Sequence, residues 1–130
     1  TRAPQWTHGG VALGPKPRSY KVALNKRIKR TALFSALSSK VSAGEMIVVD
    51  NITMSEYKTK TMVKMLEAVG AAGKALVVLA DNDNKVVRSF SNIPGVVTAQ
   101  YNTINVYDIL NCNKLIIVRS AAEKIEEVYA

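Results

Sequence analysis

Lys26, Arg27, Lys29 and Arg30 crowd four cations into five residues, within Asn25-Lys26-Arg27-Ile28-Lys29-Arg30. Side chains of this type at these spacings hold the oxygens of an anion by charge-assisted hydrogen bonds, and several together suit a polyanion. Their position sharpens the reading. Ile28, Ala32, Ala36 and Leu33, Leu37, Val41 form two rows four residues apart, which predicts a helix over 25–41 docked by a broad apolar stripe. The cations then occupy its first turn and a half. The helix dipole is already positive there, so a sequence chosen for stability alone would place acids at that end. Cations beside free backbone N–H groups make it an anion site. A solvated charged turn is the plainer alternative.

The stretch before the helix is charged with the same sign. TRAPQWTHGGVALGPKPRSY holds no acid, no periodic apolar run, three glycines (Gly9, Gly10, Gly14) and three prolines (Pro4, Pro15, Pro17). Glycine lets backbone approach a surface closely, and proline keeps a strand of chain extended. Arg2, Lys16, Arg18 and Lys21 are candidate phosphate contacts, and Trp6 and Tyr20 can stack on bases. The formal net charge is +8, yet residues 41–130 carry nine basic and ten acidic groups, so the entire excess lies in the first 40 residues. A near-neutral body with a cationic front suits a polyanionic partner.

The elements that must position these groups follow from Glu45 onward. Met46-Ile47-Val48-Val49, Ala75-Leu76-Val77-Val78-Leu79 and Leu115-Ile116-Ile117-Val118 are short unbroken apolar runs, and Gly95-Val96-Val97-Thr98-Ala99 is a weaker fourth. Such runs fit strands buried on both faces of a parallel sheet. Between them, Lys58 to Val69 carries Met62, Leu66 and Val69 at helical spacing with Gly70 as a stop, and Asp83 to Phe90 predicts a short helix ended before Pro94. Asn105 is a candidate N-cap for a helix through Leu110, and Ser120-Ala121-Ala122-Glu123 reads as a capping box before Ile125, Val128 and Tyr129. The expected fold class is therefore α/β: a mostly parallel sheet covered by helices, with an extended basic arm over 1–24 and a globular domain over 25–130.

Other chemistries find little footing. Gly70-Ala71-Ala72-Gly73-Lys74 lacks the spacing of a phosphate loop and leads into a strand, and no dinucleotide fingerprint occurs, so no cofactor is expected. Asp50, Asp81 and Asp83 follow strand ends, where α/β enzymes place catalytic groups. Helix caps use the same residue there, and a small α/β enzyme using Asp50 and Asp81 remains the rival reading. His8 is the only histidine and Cys112 the only cysteine, so neither a metal site nor a disulfide framework is expected. No stretch reaches the roughly 20 apolar residues of a membrane span, and the single thiol suits a reducing cytoplasm.

The segments RAPQWTHGGVALGPKPRSY, NKRIKRTALFSALSSKV, GEMIVVDN and NVYDILNCNKLII, in this order, resemble the family of the fourth protein of the bacterial large ribosomal subunit, over its C-terminal two-thirds. The Pro-Gln-Trp, Gly-Pro-x-Pro-Arg and Leu-x-Ser-Ala-Leu-Ser segments are specific in combination. The resemblance implies a structural component that binds large-subunit ribosomal RNA beside neighbouring ribosomal proteins and supports subunit assembly. It also implies a long loop running toward the peptide exit tunnel, whose returning limb would be the opening stretch here, with the family's loop tip upstream. The RNA-contacting set is then Arg2, Gln5, Trp6, Lys16, Arg18, Lys21, Lys26, Arg27, Lys29, Arg30 and Lys40, with Lys40 the last cation of the acid-free stretch. Some family members also bind their own messenger leader, which is the regulatory alternative. Two departures stand out. The family usually has Arg where Thr7 stands and Gly where His8 stands, so one phosphate contact is lost and a positive φ at position 8 is in question.

Overall fold

The computed structural model describes residues 2–71 and 73–129. Its elements run α1 (Lys26–Ser42), β1 (Met46–Val49), α2 (Thr59–Ala68), β2 (Ala75–Leu79), α3 (Asn84–Ser91), β3 (Val96–Gln100), α4 (Val106–Asn111), β4 (Lys114–Val118) and α5 (Arg119–Tyr129). The four apolar runs are the four strands. They pair in parallel in the order β1-β4-β2-β3, with Met46 opposite Leu115, Leu76 opposite both Leu115 and Val97. Two-sided burial holds for the central pair: all of β2 and all but the first residue of β4 are buried. The edge strands depart from it, with Val48 and Val97 about half exposed, because an edge strand has a neighbour on one side only.

Strand connections that step right and then return must place their helices on opposite faces. Accordingly α2 packs on α3, and α1 packs on α4. Helix α5 shares the second face, where grooves form between it, α1 and α4. The core runs through the sheet to both layers, from Met62, Leu66, Val86 and Phe90 on one side to Leu33, Ile109, Ala121 and Ile125 on the other. Helices α1 and α2 end alike: Gly44 and Gly70 take positive φ, and the next residue's N–H reaches back to the Lys40 and Leu66 carbonyls respectively, a Schellman closure that only glycine enters without strain.

Two local expectations change. The capping box at Ser120 does not form, because α5 starts at Arg119 directly from β4, so Ser120 is already inside the helix; Glu123 instead pairs loosely with Arg119 at 3.6 Å. The buried face of α5 is Ala121 and Ile125, with Tyr129 partly buried, while Val128 is exposed. Asn105 does cap α4, its Oδ1 accepting from the Asp108 N–H at 2.8 Å.

Candidate nucleic-acid interface

The docking face of α1 is narrower than its two apolar rows imply. Leu33, Ala36 and Lys40 are buried and Leu37 is partly buried, whereas Ile28, Ala32 and Val41 are exposed. Every residue from Pro15 to Ala32 is exposed. The first turn and a half of α1 therefore projects beyond its packing and carries Lys26, Arg27, Lys29 and Arg30 into solvent. Three like-charge pairs fall at three- or four-residue spacing (26/29, 26/30 and 27/30), which is unfavourable on a helix. Among the described residues none of the four lies within ion-pair distance of a carboxylate. Asn25 occupies the N-cap position in extended backbone, but its side chain makes no capping bond. The first-turn N–H groups are thus left to an external acceptor.

Lys40 leaves this set. It is 7 % exposed, and its Nζ donates to Glu45 Oε2 and to the Cys112 carbonyl, each at 2.6 Å. Its charge is used inside the fold, tying the end of α1 to the start of β1 and to the turn before β4. Lys40 holds the Glu45 carboxyl below its usual range. Cys112 itself is buried, and burial raises its thiol pKa.

The opening stretch divides in two. Residues 2–10, expected to be extended, close into a turn: Trp6 N–H donates to the Ala3 carbonyl at 3.0 Å, Gly9 N–H to Trp6 at 2.9 Å and Gly10 N–H to Arg2 at 2.9 Å. Glycine is required at position 9, where a Cβ would overlap the Ala3 carbonyl oxygen. His8 sits in the left-handed region at φ 61°, so the positive φ persists although glycine does not. That conformation costs a non-glycine residue about 1 kcal/mol. His8→Gly should therefore tighten the turn and slow exchange of the Gly9 and Gly10 amides, while His8→Val should open it and speed both. Residues 11–25 hold no helix or strand. Their apolar side chains stand in solvent, Leu13 at 98 %, Val11 at 82 % and Val22 at 77 %, and Trp6 beyond them is 64 % exposed. The Arg18 guanidinium lies over the Tyr20 ring at 4.3 Å. Arg2, Gln5, Lys16 and Lys21 are exposed as well.

The strand-end carboxylates are committed elsewhere or far apart. Asp83 caps α3 through the Lys85 N–H at 2.9 Å. Asp81 pairs with Lys124 Nζ at 2.7 Å and raises that lysine's pKa. Asp50 follows β1 and Asp81 follows β2, and β4 lies between those strands. Two strand spacings put those strands about 10 Å apart. Among the described residues there is no cluster of three metal-ligating side chains and no helix long and apolar enough to cross a membrane.

The sequence has relatives among known proteins. Residues 1–128 match the model of the ribosomal protein L4/L1 family. The chain belongs to that family. It is 51 % identical over 129 residues to large ribosomal subunit protein uL4 of Clostridium acetobutylicum and 49 % identical over 129 residues to that of Ruminiclostridium cellulolyticum. With the protein of the same name from Acetivibrio thermocellus it shares 50 % over 130 residues. Each match covers 99 % of this chain and 62 % of the relative. The chain thus spans under two thirds of those proteins' length. The fold-level expectation of a helix-covered parallel sheet holds.

Proposed function

We propose that the chain is a structural, non-catalytic constituent of the large ribosomal subunit that binds ribosomal RNA and sits among neighbouring ribosomal proteins. One observation carries this reading: four cations on the projecting start of α1 have no carboxylate partner among the described residues. The names of the relatives, which are large-subunit proteins, supply the class of polyanion. The body acts as a mount. Leu33, Ala36 and the Lys40 clamp hold α1 at a set angle, so its basic turn meets phosphates without being ordered anew. The opening stretch supplies Arg2, Gln5, Trp6, Lys16, Arg18 and Lys21, and its exposed apolar side chains gain cover from RNA sugars and bases. Contacts of this kind read phosphate, sugar and shape more than base sequence. Neutralising crowded phosphates joins RNA segments that otherwise repel, which serves subunit assembly. A course of the opening stretch toward the peptide exit tunnel, and a cytoplasmic location on the ribosome, follow from the same family reading.

The test is competition. The chain should retain labelled large-subunit ribosomal RNA on a filter against an excess of non-ribosomal RNA of equal length. Equal displacement by both would leave only unspecific polyanion binding. A messenger leader folded like the ribosomal site would meet the same cations, and protection of the chain's own operon leader in a footprint would add the regulatory role.

A further inference from the structure

We propose that the groove between α1, α4 and α5 is a pocket for a single unstacked nucleotide of the bound RNA. The inference rests on the RNA-binding reading and assigns it a specific subsite. The groove has a volume of about 330 Å³, which lies at the small end of ligand pockets and suits a base with part of its sugar. Lys29 and Arg30 border it. They precede Leu33 by four and three residues, so they share its helix face, while Lys26 and Arg27 lie outside the groove. The floor is apolar: Leu33 and Ile104 are 6 % and 8 % exposed, with half-buried Val106 beside them. The Tyr129 ring forms a wall, its hydroxyl donating at 3.5 Å to the Asn102 carbonyl across from the end of α5.

The charged side chains described at the groove, Lys29 and Arg30, have one sign. Among the described residues no carboxylate lines it. The carboxylate of Asp108 accepts from Asn105 Nδ2 at 2.6 Å, and Glu126 lines a separate groove between α1 and α5. Two cations at the rim of an apolar slot with an aromatic wall match the two halves of a nucleotide: phosphate outside, base within. A base paired in an A-form helix is stacked and edge-on, so it cannot enter such a slot; a nucleotide from a loop or bulge can.

The experiment measures binding of the chain to a labelled ten-nucleotide single-stranded RNA and to a ten-base-pair RNA duplex by fluorescence anisotropy, with thermal melts by circular dichroism alongside. Tyr129→Ala should weaken single-strand binding about tenfold, the range of one lost base–aromatic stack, and leave duplex binding within about twofold; Tyr129→Phe should change neither. Val106→Glu provides a second route should Tyr129→Ala loosen α5, because Val106 opens α4, where the helix dipole accepts a carboxylate. Its control is Tyr107→Glu, the same charge one residue on, at an exposed position outside the groove. Val106→Glu should cost single-strand affinity several times more than Tyr107→Glu. Equal losses from the two, or Tyr129→Ala binding like the parent, would overturn the pocket. If single-strand binding then still fell on neutralising Lys26 and Arg27, the RNA-binding reading would stand without the pocket. Failure of the parent chain to bind either RNA would overturn both.

Discussion

Replacing Lys26, Arg27, Lys29 and Arg30 together by Gln is expected to lower affinity for large-subunit ribosomal RNA by roughly a hundredfold or more at moderate salt, while the melting temperature rises by a few degrees. The two effects have one cause. In the free protein the four cations repel one another and the positive end of the α1 dipole, and no carboxylate among the described residues offsets this. Removing them relieves the free fold. In the complex the same charges meet phosphates and release condensed counterions, which is the main source of affinity for a polyanion. Gln keeps the helix propensity nearly unchanged, so lost binding cannot be laid to lost helix. Filter binding and a thermal melt on one preparation read both effects. A variant that bound as before, or that melted lower, would mean that the turn serves the fold.

Lys40→Met should do the reverse. Its stem packs as before, but the Cys112 carbonyl loses its charged donor at a buried site, a loss of about 2 kcal/mol, or about 7 °C in the melting temperature of a chain this size. Affinity for RNA should stay within about twofold, because this ammonium faces the fold and not the solvent. The Glu45 partner adds a pH signature. Lys40 lowers the folded pKa of Glu45 below the ordinary 4.5, so the stabilisation is complete above the unfolded value and is lost as pH falls through the folded one. The parent should therefore lose stability below about pH 4.5 more steeply than Glu45→Gln. Parallel pH melts of the two proteins check this, and identical curves would remove the ion pair from the stability of the fold.

Much of the architecture was legible because its signals are local. Unbroken β-branched runs mark strands that are buried on both faces, and alternating them with helical segments leaves few arrangements besides a parallel sheet. Asn105 and Asp83 announced their caps, and Gly70 its stop. The strand order was not legible, because pairing β4 between β1 and β2 depends on contacts distant in sequence. The basic turn was legible as charge without acid. Lys40 was misjudged because charge was counted over a stretch and not around the helix: it stands seven residues after Leu33 and four after Ala36, on the buried face, and that spacing was the available signal. The closed turn at 2–10 was hidden because it depends on a histidine in a conformation that histidine enters at a cost. The slot beside Tyr129 needs three helix ends to meet, which no window of sequence contains.

The salt dependence of binding to large-subunit ribosomal RNA bears most directly on the claim that the cationic front of this chain exists to hold phosphates. Between about 0.05 and 0.3 M salt, log affinity should fall with log salt at a slope near −4 to −5, and the four-Gln variant should be shallower by about 3. A slope near zero for the parent, or one that the four substitutions leave unchanged, would contradict it.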